Sequence, residues 1–413
     1  MMNKQSYLAW PTLLITSTFF ALAIVAGKLV NICFYLLVLL ALLSLLVRRH
    51  VWVDFNAVCQ RYWPLQLAMF STLLAVLINQ LSADHFSARL FDIPSYLALF
   101  ALLFWFFLQV PAEKLTWIKW SWMVGVLYCT SQIVVLNKDL EGRPQITVWS
   151  TELAVLMGMF ALISIGWKKP ISKFVLIGQL MAGACGLYAA YFSESRGIWM
   201  ALPVFMFLLY SVFDTQWLSA KKLLTLIIFT MLISMAFCTT DVASRRISEA
   251  REDIHQYTEN INPDTSIGVR LQIWRGSWLL FKEHPLFGVG RAHYEDAMNE
   301  LANKKIITPL AASMPHSHNE VLYNMMTLGI FGLAAILLTY LVPACYFIRE
   351  LRHADRAIRA SAAMGLCLCL GYIIFGLVDV MFMYKTTDVF YSLTLALLLS
   401  HIINRKQQLA TAA

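Results

Sequence analysis

The chain has 413 residues, of which 59% are hydrophobic and only 14% charged, with a net charge of +8 and a mean hydropathy of +0.65. That balance excludes a soluble domain built around one core and predicts an all-α polytopic membrane protein, since a helix satisfies its own backbone inside hydrocarbon. The excess of positive charge follows membrane topology and gives no sign of nucleic-acid binding.

About 20 apolar residues as helix cross roughly 30 Å of hydrocarbon, and twelve stretches meet that requirement. They centre on residues 8–26, 29–47, 63–81, 93–110, 117–136, 148–166, 172–192, 198–213, 222–239, 320–347, 361–382 and 388–403. The first follows Lys4 and has a weak cleavage-like triplet at Ala21, Leu22 and Ala23, but eleven further spans favour an uncleaved anchor. The eight cysteines nearly all fall in or beside apolar stretches and read as small apolar filler, with no Cys-x-x-Cys pair and no metal-type histidine spacing.

With the N-terminus in the cytoplasm, the short loops on that side carry 17 of the 32 lysines and arginines, against six on the other side; the remaining nine lie in residues 240–317. Long loops do not count in this balance, so both termini are expected in the cytoplasm. Three regions follow: residues 1–239 with spans one to nine, a large outer loop over 240–317, and residues 318–413 with spans ten to twelve and a cytoplasmic tail. The basic run from Arg349 to Arg359 reads as an anchor against anionic lipid.

The outer loop is polar, punctuated by Pro263, Pro285, Pro309 and Pro315, and too long for a structureless connector. Three helices are expected in it. Asp241 to Gln256 alternates charges around a thin apolar face; Ser266 to Glu283 gathers Val269, Ile273, Trp274, Leu280 and Phe281 near one side and is expected to lie along the membrane interface; Ala292 to Asn303 is a weaker pattern. Gly288 and Gly290 flank a tight turn beside Arg291.

The run from Pro315 to Gly332 is where imidazole and amide groups, His316, His318 and Asn319, open directly into a long apolar helix. Three short motifs recur on the same outer face: Ser195, Arg196 and Gly197 at the end of the seventh span; Gly268, Val269 and Arg270 in the loop; and His318 and Asn319, followed at fixed spacing by Gly329 and Gly332. Taken singly, Arg196 fits a snorkelling anchor, Arg270 a solvated charge on an amphipathic helix and His318 a helix cap. In this order and on one face, they resemble the bacterial O-antigen ligase and polymerase superfamily, over residues 180–345 by motif and over the whole chain by topology.

The length, the twelve spans and the single large loop most resemble the O-antigen ligase that completes lipopolysaccharide. That resemblance implies an inverting, metal-independent glycosyltransferase without a cofactor. Its donor would be a polysaccharide on undecaprenyl pyrophosphate, and its acceptor a sugar hydroxyl of lipid A-core oligosaccharide at the periplasmic face. By family position His318 would take the acceptor's proton or orient its hydroxyl, while Arg196 and Arg270 would stabilise the pyrophosphate left behind. The residue types suit these roles, since a guanidinium binds phosphate oxygens through two parallel hydrogen bonds and an ordinary imidazole, with pKa near about 6.5, accepts protons at neutral pH. The base and the leaving-group clamp would face each other across the sugar. Arg291, Asn319, His316 and Glu194 are candidate substrate-binding residues, Glu194 by orienting Arg196. Gly329 and Gly332 are expected to allow close helix packing.

A polymerase of the same superfamily is the nearest alternative, and a protein O-oligosaccharyltransferase is disfavoured because it usually carries additional outer-face sequence. A secondary transporter would need ionisable residues near mid-membrane and repeated halves; Glu152 is one of few such residues and no internal repeat is visible. No nucleotide-binding fingerprint is present.

Overall fold

A computed structural model describes residues 6–22, 27–47, 51–82, 86–136, 148–168, 172–193, 195–213, 241–259 and 261–412. Every regular element among the described residues is helical. In chain order they are α1 (Ser6–Leu22), α2 (Gly27–Val47), α3 (Val51–Arg61), α4 (Trp63–Leu81), α5 (Asp92–Ala98), α6 (Phe100–Phe107), α7 (Ala112–Leu115), α8 (Lys119–Leu136), α9 (Val148–Ile163), α10 (Lys173–Ser193) and α11 (Arg196–Phe213). The loop supplies α12 (Asp241–Thr258), α13 (Ser266–Glu283), α14 (Tyr294–Asn303) and α15 (Pro309–Ala312), and the chain closes with α16 (Glu320–Glu350), α17 (Arg356–Phe375) and α18 (Lys385–Ala412).

Among the described residues, eight helical segments are long and apolar enough to cross a membrane, so the protein is an all-α polytopic membrane protein. They coincide with eight of the twelve expected spans. The stretches at 8–26 and 198–213 form shorter apolar helices, Leu8–Leu22 and Gly197–Phe213, the stretch at 117–136 forms α8, and that at 222–239 lies outside the described residues.

Burial sorts the helices into centre and rim. In the most apolar part of Lys385–Ala412 94% of the residues are buried and in that of Val148–Trp167 78%, whereas in that of Lys173–Ser193 only 33% are. On α2 the residues Ile32, Tyr35, Leu36, Leu39, Leu43 and Leu46 are exposed at helical spacing, the apolar stripe that lipid covers. Helices α9 and α10 cross at glycine: a Cβ on Gly158 would stand 3.0 Å from the Cα of Gly186, the small-residue contact by which membrane helices approach each other.

Several polar residues inside the bundle are spent on neighbouring helices. The indole of Trp167 donates to Ser361 Oγ at 2.8 Å, and that hydroxyl pairs with His401 Nδ1 at 2.8 Å. Arg359 is buried and donates to the carbonyls of Val212, His353 and Ala354, while Arg356 donates to those of Ile165, Gly166 and Lys168. Two members of the basic run are therefore tied to helix-end carbonyls instead of facing lipid, because those carbonyls have no partner within their own helices.

A second, smaller core joins the loop to the bundle. Val269, Ile273 and Leu280 of α13 pack with Met298 and Leu301 of α14, with Tyr323 and Met326 of α16, and with Val380. Thr265 caps α13, its hydroxyl accepting from the Gly268 amide at 3.1 Å. The apolar side of α13 is thus turned towards protein, while Trp278 stays exposed.

One contact sets the loop's height on the bundle. Helix α16 breaks at Gly329, which has φ 65°, and the segment after α13 runs alongside the break. Val289 and Gly290 donate to the freed carbonyls of Met326 and Thr327 at 2.9 Å each, and Ile330 donates to Pro285 O at 2.8 Å. Gly288 and Gly290 also have positive φ, and a Cβ on Gly288 or Gly329 would overlap the facing backbone. The three glycines form a backbone interlock, a closer union than the separate turn and helix contact expected from sequence. It satisfies the broken helix from within the protein, as a membrane requires.

Candidate functional site

The turn before α16 gathers the titratable groups. Asn319 is its N-cap, with Oδ1 accepting from the Leu322 amide at 3.0 Å, and its Nδ2 reaches Leu377 O at 3.4 Å. Its amide is thus engaged in capping and in holding the 376–380 turn. The Glu320 amide donates to Gly376 O at 2.7 Å, which fixes the start of α16 against the end of α17. Ahead of the cap, His318 takes a left-handed φ of 49°, a conformation costing a bulky residue about 1–2 kcal/mol. The Trp274 indole of α13 holds this turn by donating to Ser317 O at 3.0 Å.

That conformation folds His318 back on His316. The His318 amide donates to His316 Nδ1 at 3.1 Å, and the two rings meet edge to face with centroids 4.3 Å apart. Since Nδ1 accepts, the proton of neutral His316 is assigned to Nε2. Nε2 lies 3.6 Å from Asp379 Oδ1 and 3.5 Å from the Tyr384 hydroxyl. Asp379 is itself buried and accepts from the Val380 amide at 2.8 Å.

Burial pushes both imidazoles down to about 4. For His318 the neighbouring His316 and the Arg270 guanidinium push the same way, and Asp379 opposes them. Burial raises the Asp379 carboxyl, against the pull of the Val380 amide, His318 and Arg270. The ordinary imidazole value expected from sequence is thereby replaced by a lower one, because the turn is packed under α13 and away from water. His318 is neutral at pH 7 and free to accept a hydrogen bond or a proton. His316, His318 and Asp379 also offer ligand atoms all within 4.8 Å of one another, a set that could hold a cation.

Next to this group lies a chain of polar contacts. Glu320 is buried, with Oε2 accepting from the Phe382 amide at 2.9 Å and Oε1 from Asn324 Nδ2 at 2.8 Å. Asn324 Oδ1 accepts from Arg291 Nη2 at 3.0 Å, and the Arg291 guanidinium lies over the Tyr323 ring at 5.8 Å. Arg291 is therefore held on α16, and its Nε is buried without a hydrogen-bond partner.

The other expected residues fall around the same turn. Arg270 sits early on α13 and bears electrostatically on both His318 and Asp379. Arg196 begins α11; a Cβ on the adjacent Gly197 would overlap Val378, so this helix start abuts the turn carrying Asp379. Glu194 lies outside the described residues. Asp379, Tyr384, Glu320 and Asn324 are the residues that sequence reasoning missed. The signal for Asp379 was present: it is the one charged residue between Arg359 and Lys385. It falls inside the apolar stretch 361–382 expected to be a span, whereas α17 stops at Phe375.

A neutral imidazole, a carboxylate beside it and the Arg270 guanidinium on α13 can together take a proton and stabilise an anion. Residues 181–337 match the family model described as O-antigen ligase. The chain is also similar to an uncharacterized protein of Haemophilus influenzae, 24% identical over 329 residues, covering 78% of this chain and 81% of the relative. The matched stretch takes in Arg196, Arg270, Arg291 and His318, and over it the chain is similar to the O-antigen ligase family.

Proposed function

We propose that the protein is an O-antigen ligase that transfers a polysaccharide from undecaprenyl pyrophosphate to a sugar hydroxyl of lipid A-core oligosaccharide. The reaction takes place at the periplasmic face of the inner membrane, with residues 240–317 as the periplasmic loop. The observation that carries this reading is the convergence of the family domain with the neutral His318 turn, beside Arg270 and the start of α11.

The acceptor oxygen attacks the anomeric carbon as the bond from that carbon to the pyrophosphate oxygen breaks. His318 accepts the hydroxyl proton, and the pyrophosphate leaves with the electron pair. Asp379 stabilises the imidazolium that forms, while His316 holds the His318 backbone in its left-handed turn. Arg270 and Arg196 take the growing negative charge, a preorganised contribution made without a metal. Arg291, tied through Asn324 to Glu320, contributes positive potential from the side of α16.

The test is reconstitution of the purified protein with undecaprenyl pyrophosphate-linked O-antigen and rough lipopolysaccharide, with and without EDTA. A ladder shifted onto lipid A, unchanged by the chelator and absent for His318→Ala, is the expected result. Lengthening of the lipid-linked chain instead would make the protein a polymerase, and loss of activity in EDTA would assign a cation to the His316, His318 and Asp379 group.

A further inference from the structure

Helix α16 continues 21 residues past its break at Gly329, to Glu350, roughly 30 Å at about 1.5 Å per residue, so its far end lies across the bundle from His318. A cavity of about 690 Å³ opens there, between α3, α4, α6 and the ends of α16 and α18. The reaction proposed above does not use it.

Its walls divide by polarity. Val58, Leu65, Phe104, Leu399 and Ile402 make an apolar floor, and Arg61, Arg349 and Lys406 stand at the rim. Lys406 is paired with Glu350 at 2.6 Å. Arg61 and Arg349 are exposed and lie over the rings of Tyr62 and Tyr346, at 5.7 and 6.0 Å, and those rings are 6.3 Å apart. Two guanidinium groups are thus carried on neighbouring rings of the same cavity, and neither has a carboxylate partner among the described residues.

The amide of Gln109 supplies an independent observation. It lines the cavity, and both its nitrogen and its oxygen are buried with no hydrogen-bond partner. The neighbouring Asn404 amide is, by contrast, spent on the carbonyls of Leu108 and Val110. An orphaned donor and acceptor in a cavity wall cost free energy unless something in the cavity meets them. A matching occupant has an apolar body, an anionic phosphodiester for the arginines and a hydroxyl that both donates and accepts. Basic pockets between membrane helices take lipid headgroups of this kind.

We propose that this cavity is a binding site for one anionic phospholipid, its phosphate at Arg61 and Arg349, its headgroup hydroxyl at Gln109 and an acyl chain on the apolar floor. A nucleotide or free phosphate would use the rim alone and leave the floor uncovered.

Native mass spectrometry of the delipidated full-length protein, titrated with phosphatidylglycerol or phosphatidylcholine, tests the site. One phosphatidylglycerol should be retained in preference to phosphatidylcholine. Arg61→Gln and Arg349→Gln should each weaken it about fivefold, and Arg349→Lys should weaken it less. Gln109→Leu is decisive because it leaves the charge unchanged: weaker binding supports a built site, whereas wild-type binding would leave only general attraction to a basic surface and overturn the proposal. Equal retention of the two lipids, or displacement of phosphatidylglycerol by inorganic phosphate at millimolar level, would overturn it as well. Thermal unfolding of each variant in lipid-free detergent separates lost binding from lost fold.

Discussion

At the residue scale, the proposed reaction turns on His318, whose position depends on a strained turn and whose protonation depends on burial. His318→Ala is expected to lower transfer by roughly 10²–10⁴-fold, the usual range for removing a general base, while membrane insertion stays normal. Arg270→Ala should cost about 10²–10³-fold if the guanidinium stabilises the leaving group. Asp379→Asn should fall between wild type and His318→Ala, because it acts on the imidazole and not on the substrate. The gel-shift assay reads all three.

The lowered pKa also predicts a pH profile. A base held near about 4 stays unprotonated as pH falls through neutrality, so kcat/KM should be flat from pH 7.5 to 5.5 on the acid side and fall only as about 4 is approached. An acid limb centred near about 6.5, the value of an exposed histidine, would show that His318 is solvated in the working enzyme. By linkage, the folded state binds fewer protons at these histidines than the unfolded state between about 6.5 and about 4, so their contribution to stability is lost as pH falls through that window.

At the scale of elements, the interlock of Gly288, Gly290 and Gly329 carries the loop. A side chain at Gly329 would have to adopt a left-handed backbone, costing about 1–2 kcal/mol, and would also overlap the carbonyl of Leu286. Gly329→Ala should therefore lower the unfolding temperature in detergent and open residues 240–317 to protease. Gly27→Ala, where a Cβ would meet nothing within 4 Å, is the control and should do neither. Removal of the α13 cap by Thr265→Ala should cost about 1 kcal/mol, a smaller effect because the second core still holds the helix.

At the scale of the whole molecule, the prediction is orientation. Single-cysteine labelling in a background lacking the native thiols should find residues near both termini inaccessible from the periplasm and positions in α14 accessible from it. Labelling in the reverse sense would overturn the orientation read from the 17-to-six charge balance, and with it the periplasmic placement of the reaction.

What the amino-acid sequence determined by itself was the class of molecule and the bounds of its strongest elements. Hydrophobic runs must become helices in hydrocarbon, so the span pattern was legible, and Ser266 to Glu283 emerged with the expected ends because Thr265 caps one and Pro285 follows the other. His318, Arg196 and Arg270 were legible as short motifs on one face. Tertiary structure decided the rest. Asp379 joins His316 only because Glu320 hydrogen-bonds Gly376 and so seats the end of α17 beside the start of α16. The union of Glu320, Asn324 and Arg291 depends on a loop residue reaching α16 from 33 positions away. Gly329 reads locally as an ordinary membrane-helix glycine, and its positive φ follows from a second backbone passing alongside. Local propensity reaches only a few residues along the chain, whereas burial, shifted pKa values and backbone exchange are set by which distant segments pack together.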